Sequence, residues 1–163
     1  MEYQDLIKDS EYEPHWIISK ANKLGRLAQG VGKTKNGEQR VKGMDACNFI
    51  SKHEIEKGKT VTYARTVYTV RPEKEEQNRT RITIGGNLLD YPGEKYTDTA
   101  GLELIKMHCH SVLSTKGAKY MTTDIGNFYI NTPLDYSEYM RMHISEIPQE
   151  IIDKYYLLEK VDD

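Results

Sequence analysis

VTYARTVYTVRPEKEEQNRTRITI, residues 61–84, decides the fold. From Val61 to Val70, β-branched and aromatic residues alternate with small or charged ones, which is the period-two signature of a strand with one buried face. Residues 71–78 (RPEKEEQN) are a polar turn, and Arg79 to Ile84 resume the alternation. The two runs are therefore expected to pair as a hairpin with a basic tip and basic legs.

Upstream, the first dozen residues are acidic and weakly patterned and read as a frayed lead-in. Trp16, Ile17, Ala21, Leu24 and Ala28 recur at helical spacing, with Pro14 suited to a first turn and Gly30 to a stop. Residues 31–45 are rich in Gly, Lys and Asn and are expected to be loop, followed by a short strand over Asn48 to Ser51. Downstream, GGNLLDYPG (residues 85–93) is irregular. A second helix follows Thr97, with Leu102, Ile105, Cys109, Val112 and Leu113 on one face and Gly117 beyond its end. Lys119 to Thr123 reads as a short strand that delivers Asp124 into a Gly126–Asn127 turn. EYMRMH (residues 138–143) reads as another strand, and Pro148 opens a last helix. There is no internal repeat, and no closing element precedes Asp163, as though the chain were cut rather than finished. Strands and helices mixed in this way place the chain in the α+β class.

A length of 163 residues suits one domain or a piece of a larger one, and 37% hydrophobic against 29% charged residues permits a thin core. The formal charge of −2 supplies no global attraction to nucleic acid or to a membrane surface. Cys47 and Cys109 lack framework spacing, which favours a reducing compartment. No apolar stretch is long enough to span a bilayer, and no signal-peptide pattern opens the chain. The expected setting is intracellular, cytoplasmic or nuclear, with no membrane partner.

Several motifs are discounted. GVGKT (Gly30 to Thr34) resembles the end of a phosphate-cradling loop, but the pattern requires glycine where Leu27 stands and a strand where a helix is expected. His108, Cys109 and His110 are consecutive, so on a helix they point in different directions and cannot grip one ion. Asn78–Arg79–Thr80 fits a glycosylation acceptor without any sign of secretion, and Gly85–Gly86–Asn87 is a backbone turn.

What survives is TTDIGNFY, residues 122–129, together with the hairpin. Two-metal phosphoryl-transfer enzymes need carboxylates fixed on rigid backbone, so that Mg²⁺ ions activate the attacking oxygen and stabilise the leaving one. Asp124 sits where such an acid would, though an acid there also serves as an ordinary loop hydrogen-bonding group. Tyr129, five residues on, suits either a floor beneath a nucleotide sugar or a core position. Lys74 and Arg81 can reach a triphosphate. Equally, Arg81 suits a solvated strand edge, and Lys74 lies among Glu73, Glu75 and Glu76.

VYTVRPEKEEQNRTRITIGGNLLDYPG followed by GAKYMTTDIGNFYINTPLDYSEYM resembles the fingers and first palm motif of reverse transcriptases, specifically those of copia-type retrotransposon polyproteins. The likeness runs through a basic hairpin, the R-h-x-h strand (h apolar) Arg81 to Ile84, and an intervening helix. It continues through the D-h-x-x-x-Y/F block Asp124 to Tyr129, the N-T-P-L turn Asn131 to Leu134, and the Tyr139–Met140 strand. It implies an N-terminal helix and basic loop over residues 1–45 and a partial reverse-transcriptase domain over 46–163. In that domain the fingers hairpin occupies about 60–85 and the first palm motif about 119–134, and helices pack on an incomplete palm.

The resemblance further implies that Asp124 is the first Mg²⁺-binding aspartate, with the Ile125 carbonyl as an extra ligand. It makes Tyr129 the steric gate against a ribose 2′-hydroxyl, Arg81 a triphosphate contact and Lys74 a fingertip contact. Implied partners are an RNA or DNA template-primer, deoxynucleoside triphosphates and the remainder of the polymerase. The family's glycine-containing template grip and its h-x-D-D hairpin are missing from these residues. Asp162 and Asp163 match that pair in letters only, since they follow Asp124 too closely. A lone aspartate cannot hold two Mg²⁺ ions, so the chain as written is not expected to polymerise. The rival expectation is a non-catalytic relic or small nucleic-acid-binding module that uses only the basic hairpin.

Overall fold

The computed structural model describes residues 3–6, 8, 13–89, 93 and 98–161. In chain order these form α1 (Tyr3–Leu6), α2 (Glu13–Leu27), β1 (Val31–Lys33), β2 (Gln39–Val41), β3 (Val61–Val70), β4 (Asn78–Ile84), α3 (Leu102–Ser114), β5 (Tyr139–Arg141) and α4 (Gln149–Tyr155), with short 3₁₀ turns between. The architecture is mixed α+β with two small sheets. Two units are distinct, one of residues 1–89 with 129–163 and one of residues 90–128.

In the larger unit the period-two stretch forms the expected hairpin. β3 and β4 pair antiparallel from Ala64↔Ile84 to Val70↔Asn78. β5 adds to the other side of β3 in parallel, with Val61↔Tyr139 and Tyr63↔Arg141, giving the order β4-β3-β5. Thr62 and Thr80 are buried on the inner face, while Tyr63, Arg65, Val67, Arg79 and Arg81 are exposed on the outer one. α2 packs on β4. Trp16 meets the Tyr68 ring edge-on at 5.4 Å between centroids.

The core gathers Ala21 and Leu24 of α2, Val31 and Val41, and Ile151, Ile152 and Leu157 from the C-terminal region. Residues 31–45, expected to be loop, contain the β1–β2 hairpin instead. Its Val31 and Val41 are register partners, and both reach this core. A Cβ on Gly25 would overlap Val31, so the glycine lets β1 lie close against the helix. Asn48 to Ser51 do not form the expected strand. The Gln29 amide donates to Asp45, to the Cys47 carbonyl and to Asn48, and Lys160 donates to the Phe49 carbonyl at 2.6 Å. Of these acceptors, the Cys47 and Phe49 carbonyls are backbone groups of the kind a strand ladder would use. Pro148 precedes α4 as expected, and Tyr156, in the left-handed region at φ 53°, ends it.

In the smaller unit α3 covers the expected helical run, and Gly117 beyond it takes a positive φ of 79°. Lys119 to Thr123, expected to be a strand, is unpaired. β-branched and aromatic residues fit a pleated surface, but without a partner strand they do not create one. No helix among the described residues is long and apolar enough to cross a membrane.

Lys20 is the most unusual core member. Its side chain is fully buried, its ammonium lies 3.5 Å from Glu146 and 5.8 Å from the centroid of Tyr68, and burial pushes its pKa below the usual 10.5 despite the opposing pull of Glu146. Between the lowered folded value and 10.5 the unfolded chain holds the extra proton, so stability rises with pH across that window. Relative to Lys20→Met, the native protein should therefore gain stability on alkaline titration toward that limit. Glu146→Gln should cost about 1–3 kcal/mol near neutrality, below a fully buried pair because Glu146 is partly solvated. Urea unfolding across pH measures both effects, and parallel pH profiles for the native protein and Lys20→Met would refute the linkage.

Candidate nucleic-acid interface

The hairpin tip is built by Arg71. Its backbone N–H donates to the Gln77 carbonyl at 2.7 Å, its carbonyl accepts from Lys74 N at 3.1 Å, and its guanidinium donates to the Glu76 carbonyl. Lys74 stands exposed on this tip, as expected, with Glu73, Glu75 and Glu76 in the same turn. Arg81 lies on β4 opposite Val67, exposed and on the outer face.

The rigidity of β4 comes from beneath. Ser19 of α2 donates to the Asn78 carbonyl at 2.7 Å, and its oxygen lies 2.8 Å from the Thr80 hydroxyl. With Thr80 pinned inward, Arg79 and Arg81 on either side must face outward, because successive strand residues alternate. One helical turn beyond Ser19 stands Lys23. Its pKa is lowered, first by burial and then by the positive charges of Arg26 and Arg79; Glu76 opposes them, and Arg81 adds the smallest lowering contribution. Positive charge is thus concentrated where the helix meets the edge strand.

Register adds residues that the sequence did not single out. Arg65 pairs with Thr83, and Tyr63 with Arg141 of the parallel neighbour, which brings Arg65 and Arg141 onto the face that carries Arg79 and Arg81. The alternation in β3 is a signal that could have found Arg65. Nothing local pointed to Arg141, because parallel pairing joins distant segments.

Asp124 and Ile125 belong to the other unit. Asp124 is exposed on unpaired backbone rather than at the end of a strand, Ile125 is exposed, and Asn127 turns the chain at φ 58°. A carboxylate followed by a backbone carbonyl is a hard oxygen donor set of the kind Mg²⁺ takes. Among the described residues no three His, Cys, Asp or Glu side chains converge. The Tyr129 backbone lies in the 3₁₀ turn Phe128–Asn131; its side chain, and Asp162 and Asp163, lie outside the described residues.

The discounted motifs are put to other uses. The Gly30 carbonyl accepts from Lys154 and from the Tyr155 hydroxyl, both at 2.6 Å, and its N–H bonds Gly25. GVGKT therefore anchors α4 instead of cradling a phosphate. His108 packs against Tyr120, whereas His110 pairs with Ser114. Comparison with known proteins finds no matching family model, no matching curated protein and no matching solved structure.

Ser19→Ala should destabilise the protein by about 1–3 kcal/mol, since it strands the buried Thr80 hydroxyl. Adding Thr80→Val should restore the part of that loss due to the stranded hydroxyl but not the part due to the bond to the Asn78 carbonyl. A double-mutant cycle in urea measures the coupling, and strictly additive losses would show that the hydroxyl pair does not hold β4 to α2.

Proposed function

We propose that the chain is the fingers and first palm block of an RNA-directed DNA polymerase of the copia-type retrotransposon class. The complete enzyme would extend a primer by attack of its 3′-hydroxyl on the α-phosphorus of a deoxynucleoside triphosphate. The observation that supports this most is the outward presentation of Arg81 from a strand pinned at Thr80. It combines with the order that the resemblance requires: basic hairpin, helix, then Asp124.

In this reading the Arg81 guanidinium offers a fixed fork of donors to triphosphate oxygens, and Lys74 adds a mobile point charge from the tip. The Asp124 carboxylate and the Ile125 carbonyl would hold Mg²⁺, together with carboxylates from the remainder of the polymerase. When bound, the metal neutralises charge developing on the phosphoryl oxygens. Tyr129 blocks the ribose 2′-hydroxyl, the group that distinguishes the two sugars.

A second reading, a nucleic-acid-binding module without catalysis, is favoured by one observation. Arg65, Arg79, Arg81 and Arg141 are exposed, and none forms an ion pair among the described residues. Binding lost in Arg81→Ala but kept in Asp124→Asn favours the module.

In the complete polymerase, Asp124→Asn should abolish Mg²⁺-dependent primer extension without changing the melting temperature, and an active variant removes the polymerase reading. Tyr129→Ala should admit ribonucleotides; unchanged sugar selectivity in single-nucleotide incorporation rejects the gate.

A further inference from the structure

The outer face of the β4-β3-β5 sheet carries exposed side chains at Tyr63, Arg65, Val67, Arg79, Arg81 and Arg141 and is unusually composed. Reading across the strands, it carries Arg79 beside Thr69, Arg81 beside Val67, Thr83 beside Arg65, and Tyr63 beside Arg141. The chain as a whole has 25 acidic and 23 basic residues, yet these positions include four arginines and no acid. Along each strand, same-face residues recur roughly every 6.8 Å, so the charges form a track rather than a point.

Tyr63 stands at one end of that track. Its ring is braced: Gly85 donates to the Tyr63 carbonyl at 3.2 Å, and a Cβ built on Gly85 would meet ring atoms Cε1 and Cζ at 3.3 and 3.4 Å. The glycine makes room for the ring against the sheet, while 49% of the residue remains exposed. A half-exposed aromatic held in place on a sheet face, flanked by exposed arginines that form no ion pair among the described residues, matches what single strands require. Bases stack on the ring and phosphates meet guanidinium groups. A duplex hides its base faces and has no use for the tyrosine.

We infer that the outer sheet face binds single-stranded nucleic acid, with Tyr63 as a base-stacking platform and Arg65 and Arg141 as backbone contacts. This rests on the nucleic-acid part of the reading above and not on the polymerase part, since neither Asp124 nor a metal enters it. Tyr63 works through its ring alone, because stacking needs no hydroxyl.

The test is fluorescence anisotropy of the full chain with labelled oligothymidylate, repeated across a salt series, with a duplex of equal length as the second probe. Tyr63→Ala should weaken single-strand binding roughly 5- to 150-fold, and Tyr63→Phe should bind like the native protein. Arg65→Gln with Arg141→Gln should lower the slope of log affinity against log salt by about 1.4, or about 0.7 per lost phosphate contact. The arginines are exposed, so these variants keep the fold even where Tyr63→Ala does not. Unchanged affinity and slope in all variants overturns the proposal. So does a loss confined to glutamine substitutions at Lys33, Lys35 and Lys42, which would move the site to the β1–β2 hairpin and the residue after it while keeping the nucleic-acid reading. Equal loss of duplex and single-strand binding in Tyr63→Ala overturns the stacking role. Absence of any binding by the native chain overturns both this inference and the module reading. The polymerase reading stands or falls separately, on extension by Asp124→Asn.

Discussion

α2 and β4 meet through hydroxyls where most helix–sheet contacts use apolar side chains. Ser19 reaches the Asn78 carbonyl and the Thr80 hydroxyl together. A buried hydroxyl is costly unless its partners are placed well, so this contact tolerates little sliding. Moving β4 by one residue would turn Thr80 outward and bury Arg79 or Arg81 against the helix. The same bonds that fix the register therefore fix which side chains face solvent. Burying a charged arginine against α2 would make the alternative register costlier still.

Lys20, the next residue on α2, carries a charge into the same contact. Such a charge disfavours apolar rearrangements that would separate it from Glu146, at the expense of some stability. On the other side of α2, Gly25 admits β1, and Val31 and Val41 bring their small hairpin into contact with Ile151 and Ile152. One helix thus organises two sheets. It uses polar contacts where the register matters and apolar ones where only volume does.

The parts of this arrangement legible in the sequence are those whose signal is local. Period-two alternation from Val61 to Val70 and from Arg79 to Ile84 marked the hairpin, and the spacing of Trp16, Ala21, Leu24 and Ala28 marked the helix. The β1–β2 hairpin was not legible, because strands of three residues (VGK and QRV) carry too little pattern. Its identity depends on Val31 and Val41 meeting a distant C-terminal segment. Lys119 to Thr123 misled in the opposite sense, since its composition suits a strand but among the described residues no partner pairs it. For the site, Arg81 and Lys74 could be placed on their strand and turn in advance. The company of Tyr63 and Arg141 could not, because it arises from a parallel pairing between segments far apart in sequence.

Net charge describes the whole chain and not any one face of it. A formal charge of −2 argues against a polyanion partner only if the charges are mixed evenly. Here they are sorted. Glu73, Glu75 and Glu76 lie in the hairpin turn, and Glu146 and Glu150 are spent on Lys20 and Arg40. At physiological ionic strength the Debye length is about 8 Å, so acids well beyond that distance contribute little to the field at the sheet face. A phosphate there responds to the arginines beside it more than to the total for the chain. At the adjoining helix edge the pKa of Lys23 is lowered first by burial, with the charges of Arg26 and Arg79 adding to it. Sorting of this kind follows from the strand alternation itself. Once Thr80 is drawn inward by Ser19, its two arginine neighbours are committed to the same outer surface.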